Sequence, residues 1–117
     1  MKPNYQKAEI VFVDLGTVPD QVKGHEQANV RPCLIISPIN ALELAIIVPF
    51  TSKPKSSLYS VVEVKKGNGG LKSDSYALCH QIRSVSSQRI TKRVGVLPNS
   101  HFFKVLTVLS DLLDLPQ

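Results

Sequence analysis

Apolar positions in this chain recur every second residue or in short unbroken runs, and only near the end do they fall at a spacing of three to four. Residues 8–15, Ala-Glu-Ile-Val-Phe-Val-Asp-Leu, predict a first strand. Glu9, Val11, Val13 and Leu15 take one face, and Ile10, Phe12 and Asp14 the other. Gly16 breaks it, and residues 16–31 form a loop of sixteen residues containing Pro19, Asp20 and Gly24. A loop that long in a compact domain is as a rule functional or disordered. A second strand is predicted over 33–37, ending at Pro38, and Asn40-Ala41 turns into a third over 44–50, whose Ala-Ile-Ile-Val run reads as buried on both faces.

Thr51 to Ser57 is a polar, basic connection. The fourth strand, 58–65, sets Tyr59, Val61 and Glu63 against Ser60, Val62 and Val64. Lys66-Gly67-Asn68-Gly69-Gly70 predicts a flexible turn. The fifth strand, 76–85, is bent in its middle, and 89–91 and 93–97 are two short strand candidates. The tail alone is helical: Asn99 or Ser100 caps it, Phe102, Val105, Leu106, Leu109, Leu112 and Leu113 share a face, and Pro116 stops it. Lys104, Thr107, Ser110, Asp111 and Asp114 form the solvated side, so the helix packs on the sheet. Many short strands plus one terminal helix predict a mainly β fold, a small β-barrel or strongly bent sheet plus α. A parallel α/β sheet is disfavoured because no long helix follows each strand.

Length makes residues 1–117 a single domain, large enough for a core without staples. Cys33 and Cys79 sit in apolar runs with no C-x-x-C partner, which predicts buried thiols in a reducing compartment rather than a disulfide frame or zinc site. The longest apolar runs are too short to span a bilayer, and Lys2-Pro3-Asn4 opens no signal-peptide core. The expectation is a cytoplasmic protein with no membrane contact. Net charge is +5, and the bases bunch at Lys53/Lys55, Lys65/Lys66/Lys72 and Arg89/Lys92/Arg93. That balance favours a polyanionic partner, although a charge of this size is common among small soluble domains.

The sequence has no H-E-x-x-H, P-loop, G-x-G-x-x-G or paired carboxylates for two metals. Cys79 and His80, adjacent on a predicted strand, point to opposite faces and so form no nucleophile–base pair, and core packing is the better reading for Cys79. The chemistry gathers in Gly24-His25-Glu26-Gln27-Ala28-Asn29-Val30-Arg31-Pro32. Pro32 bars Arg31 from the helical region and leaves it extended at the lip of a strand. A five-donor guanidinium beside a loop of ionisable groups suits a phosphate. RNA carries its own nucleophile, the 2′-hydroxyl, so an enzyme needs only a base, an acid and a cation for the growing phosphoryl charge. Arg31 fits the cation, His25 an acid or base near neutral pH, and Glu26 a base or a group that orients the arginine. Thr51 and Ser52 can donate to a phosphate oxygen, and Lys53, Lys55 and Arg83 can guide the backbone. Singly, each has an ordinary reading: an exposed histidine, a surface Glu26–Arg31 pair worth about 0–1 kcal/mol, plain turn chemistry. Their company, a long loop with an Arg-Pro strand entry and a Thr-Ser strand exit, favours the nuclease.

The chain resembles the MazF/PemK/Kid family of toxin endoribonucleases. The likeness rests on Glu9 to Leu15, Gly24-His25-Glu26-Gln27, Arg31 to Ser37, Val48-Pro49-Phe50-Thr51-Ser52, Gln81-Ile82-Arg83-Ser84, Arg89-Ile90 and Gly95-Val96-Leu97, and it runs from about Glu9 to Leu113. It implies an SH3-like barrel with a C-terminal α-helix, a homodimer, and cofactor-free, metal-independent cleavage of single-stranded RNA (mRNA) at short motifs. The products would be 2′,3′-cyclic phosphate and 5′-hydroxyl ends. It also implies an acidic cognate antitoxin that fills the RNA groove and carries the toxin onto operator DNA. By the resemblance Arg31 and Thr51 match the family's catalytic arginine and threonine, and His25 and Glu26 the first-loop pair used by some members. His80, Gln81 and Arg83 fall in the strand-five region, as substrate-binding positions. There Leu78 and His80 stand where one branch has an arginine and an aspartate, which leaves proton transfer either to His80 in the aspartate's place or to His25 or Glu26, and Ala8 stands where a glycine is common. Those departures leave a second reading, a non-catalytic toxin of the same barrel that binds a partner such as DNA gyrase. A generic RNA-binding barrel ranks last, because three tyrosines, four phenylalanines and no tryptophan make a poor stacking platform.

Overall fold

The structure, a computed structural model, describes residues 4–16, 29–54 and 58–116. Its strands are β1 (Glu9–Asp14), β2 (Val30–Ile39), β3 (Leu44–Thr51), β4 (Val61–Val64), β5 (Ser75–Leu78), β6 (Arg83–Ser86) and β7 (Ile90–Val96), followed by the helix α1 (Asn99–Leu112). All recorded pairings are antiparallel, in the order β4-β5-β3-β2-β1-β7, with β6 also on β3. β3 is where the sheet bends. Its first half, Leu44 to Ile47, pairs with β6, and its last two residues, Phe50 and Thr51, pair with Ala77 and Tyr76 of β5.

The ends of that order meet. The Asn68–Gly70 turn after β4 lies against β7, and a Cβ on Gly95 would collide with the Gly69 carbonyl oxygen. Turn and strand therefore touch backbone to backbone, which only glycine permits. The segment forms the predicted turn, with Gly67, Gly69 and Gly70 at positive φ, but it is a packed element of the barrel wall.

Alternation along β1, β2 and β3 feeds two cores. Ile10, Leu34, Val48 and Phe50 pack with Phe102, Val105 and Leu109 of α1, while Val11, Val13, Cys33, Ile35 and Ile47 form a second cluster with Val85. Both faces of these strands are covered, which explains the unbroken apolar runs. Each fully buried aliphatic side chain contributes about 1.5–3 kcal/mol.

Several boundaries differ from the sequence expectations. β2 runs through both Pro32 and Pro38 instead of spanning 33–37. β1 pairs with residues 30–34 of β2 and β3 with residues 33–39, so each proline sits where β2 has one recorded neighbour and a missing N–H is tolerated. The bent fifth strand is two strands, β5 and β6, separated by a 3₁₀ turn at Cys79–Gln81. Cys79 and His80 therefore lie on a turn and do not alternate across a strand, with Cys79 buried and His80 exposed. The two candidates at 89–91 and 93–97 form one strand, β7, and β4 is shorter than predicted. Neither Asn99 nor Ser100 caps α1; the capping position is Pro98, which has no side-chain donor or acceptor. The helix also stops before Pro116. Asp114 turns left-handed, its N–H donates to Asp111 O, and the Leu115 N–H reaches back to Ser110 O, a Schellman closure. Leu113, expected on the packed face, is 52% exposed.

The start of the described chain is clamped to β7. Arg93 Nε lies 3.0 Å from Oε2 of buried Glu9, its guanidinium stacks 4.5 Å over the Tyr5 ring, and its Nη2 donates to Asn4 O. Asn40 and the Tyr5 backbone exchange two hydrogen bonds, each of 3.1 Å.

Candidate active site

Arg31 is the second residue of β2, paired across the ladder with Val13 of β1. Cys33 opposes Pro49 in the β2–β3 ladder, and continuing that register two residues toward the start of β2 sets Arg31 across from Thr51, the last residue of β3. Arg31, Thr51 and Ser52 all line one cleft of about 380 Å³. The rest of its wall includes Asn29, Val30 and Pro32 at the entry to β2, Ser73 from the β4–β5 connection and Ser75, the first residue of β5.

Thr51 is buried, and its Oγ1 accepts the Lys53 N–H at 3.2 Å. A hydroxyl has two acceptor lone pairs and one proton, so this bond fixes the turn and leaves the proton to donate. Lys53 itself is exposed beside the cleft. Arg83 lies on β6, opposite Ile47. The Arg83 and Arg31 guanidiniums both act on the Cys33 thiol, so the two cations share one neighbourhood of the sheet. Burial outweighs them and pushes that thiol up to about 12, and burial pushes Cys79 up to about 11. Neither thiol is a nucleophile near neutral pH.

His80 and Gln81 sit on the 3₁₀ turn between β5 and β6 and do not line this cleft. His80 Nδ1 is 2.8 Å from the hydroxyl of buried Ser60, which ties that turn to the residue just before β4. His25, Glu26 and Lys55 lie outside the described residues. Among the described residues no three His, Cys, Asp or Glu side chains gather as a metal-binding group. Among the described residues no carboxylate lines the cleft, and Arg31 and the hydroxyls set its polarity.

That wall of guanidinium and hydroxyls stands on a barrel whose sequence matches a known family. The model for "PemK-like, MazF-like toxin of type II toxin-antitoxin system" covers residues 6–113. The chain belongs to this toxin family. Among its curated relatives, Endoribonuclease EndoA of Bacillus subtilis is 31% identical over 106 residues, covering 86% of each chain. Endoribonuclease PemK of Escherichia coli is 29% identical over 116 residues, covering 96% of this chain and 84% of its own. The fold is shared with MazF from Deinococcus radiodurans, at TM-score 0.80 and 23% identity over 97% of this chain and 100% of that one. It is also shared with a mycobacterial endoribonuclease solved in complex with its cognate antitoxin, at TM-score 0.77 and 16% identity over 97% and 99% of the chains. The mainly β barrel with a C-terminal helix is thus the toxin-family architecture, and among the described residues no helix is long and apolar enough to cross a membrane.

Sequence reasoning missed Ser73 and Ser75. Their segment, Leu71-Lys72-Ser73-Asp74-Ser75, carries no motif, and only the non-local pairing of β5 with β3 brings it to the Arg31 cleft. The available signal was a run of small polar residues entering a short strand.

Proposed function

We propose that this chain is a toxin endoribonuclease that cleaves single-stranded RNA, mRNA in the cell, at short sequence motifs. The observation carrying this reading is the meeting of Arg31, Thr51 and Ser52 in one cleft on a toxin-family barrel. The substrate's 2′-oxygen attacks the adjacent phosphorus, its proton passes to a base, the P–O5′ bond breaks, and the leaving 5′-oxygen takes up a proton. The products are a 2′,3′-cyclic phosphate and a 5′-hydroxyl, with no metal required. Arg31 stabilises charge on the non-bridging oxygens and Thr51 donates its hydroxyl proton to one of them. His25 and Glu26 share the proton transfers. Ser52, Lys53, Lys55 and Arg83 hold the phosphate chain, and His80 and Gln81 meet it farther along.

The protein acts as a cytoplasmic homodimer held in check by an acidic antitoxin, and reaches operator DNA through that complex. Net charge of +5 suits both polyanions, and solved structures of similar fold include toxins bound to antitoxins. The test is incubation of purified protein with RNA in EDTA. Wild type should cut, leaving cyclic phosphate ends, and Arg31→Ala should not. Intact RNA together with inhibited gyrase supercoiling would instead select the non-catalytic toxin.

A further inference from the structure

A second cavity, of about 340 Å³, opens beside the Arg31 cleft and shares Pro32, Ser73 and Ser75 with it, so the two form one trough. Pockets that hold small organic ligands begin at roughly 300 Å³. The walls are apolar, built from Phe12, Leu71 and Val94, and the rim is cationic, with Lys72, Lys92 and Arg93. Among the described residues no carboxylate lines it. Arg93 is already held by Glu9, Tyr5 and Asn4, so it serves as a fixed wall. Lys72 and Lys92 differ: among the described residues neither side chain makes an ion pair or hydrogen bond, and both are exposed. Phe12 is half-buried and pairs across the ladder with Pro32, the neighbour of Arg31 in β2. An apolar slot with an aromatic side, ringed by uncommitted cations and continuous with a phosphate-binding cleft, is built for a base and its phosphates.

We infer that this pocket is a subsite for a nucleotide flanking the scissile bond, with the base against Phe12 and the adjoining phosphates at Lys72 and Lys92. This rests on the ribonuclease reading. It makes the substrate a strand that continues past the cut, so that the trough, and not the cleft alone, selects it.

The test uses the full chain and a mixed-sequence 2′-O-methyl oligoribonucleotide of about eight nucleotides, which lacks the nucleophile, with binding followed by anisotropy across a salt series. Each phosphate contact on a single strand contributes about 0.7 to the salt slope. The Lys72→Ala/Lys92→Ala variant should therefore bind more weakly, with a slope shallower by roughly 1.4. Lys104→Ala, which removes one cation from the solvated side of α1, should keep the wild-type slope. Phe12→Leu, which keeps the apolar volume, should bind about tenfold more weakly through lost stacking. If wild type binds and cuts RNA while the lysine variant keeps its affinity and slope, the subsite is overturned and the nuclease stands. If Phe12→Leu alone is unchanged, the stacked base is overturned. If wild type neither binds nor cuts, the nuclease reading fails and the subsite falls with it.

Discussion

Arg31 and Arg93 stand on neighbouring parts of one sheet and do different work. Arg93 is in the middle of β7, paired to a carboxylate that is 5% exposed, stacked on Tyr5 and bonded to the Asn4 carbonyl. Its charge is spent inside the protein, fastening the early chain to the barrel. Arg31 stands at a strand end, on the wall of a cleft lined with hydroxyls and, among the described residues, without a carboxylate. The Arg93 guanidinium reaches past its register partner Val11 to the carboxylate of Glu9, whereas Arg31 shares a cleft wall with Thr51, where we propose that it acts on a phosphate.

The largest effect that could break this contrast is at Arg31. Arg31→Ala should lower RNA cleavage by about 10²–10³-fold, the loss usual for one preorganised charge stabiliser, while shifting unfolding free energy by less than about 0.5 kcal/mol. A melting temperature that collapsed with the activity would make Arg31 a second clamp. Next is Arg93→Ala. A fully buried pair costs about 3–5 kcal/mol to break and a surface pair about 0–1. The Arg93 side chain is 49% exposed and that of Glu9 7%, so a loss near 2 kcal/mol, roughly 8 °C in Tm, is expected. Glu9→Gln and the double variant complete a cycle, and an additive result would show that the pair is not coupled.

Thr51 sharpens the reagent side. Thr51→Val should lower cleavage about tenfold or more through the lost donor, and Thr51→Ser should keep most of it. Equal rates for the two would assign Thr51 to the turn alone, where it accepts the Lys53 N–H. The smallest effect concerns the thiols. Cys33 and Cys79 are raised by burial to about 12 and about 11, against 9.0 for a free thiol. The fold keeps them protonated while an unfolded chain would ionise above 9.0. Their contribution is complete below that pH and is lost as pH climbs through 11 and 12. Iodoacetamide at mildly alkaline pH should label neither thiol in the native protein and both in guanidinium; native labelling would show an opening of the core.

What could be read from the sequence were features with a local cause. The α1 face repeats at helical spacing over 14 residues, β1 and β3 carry their own apolar patterns, and Pro32 restricts Arg31 by direct contact. What could not be read depended on partners distant in the chain. Pro32 and Pro38 end a strand in isolation, yet β2 passes through both because its two ladders are offset. The break at Cys79–Gln81 has no glycine or proline to announce it, and Ser75 reaches the cleft on a strand paired to β3. The cap of α1 falls on Pro98 because the chain enters the helix one residue before Asn99. In the candidate site, the strand-borne Arg31 and the Thr51 corner meet as register requires, whereas His25, Glu26 and Lys55 lie outside the described residues.

The account's centre is that Arg31 and Thr51 hold a phosphodiester while the substrate's own 2′-hydroxyl breaks it. The direct measurement is cleavage, in EDTA, of two RNAs that differ in one sugar: at the mapped cut site one carries ribose and the other 2′-deoxyribose. The account predicts that the first is cut to a 2′,3′-cyclic phosphate and the second survives. Equal cutting of both would mean that the nucleophile comes from elsewhere.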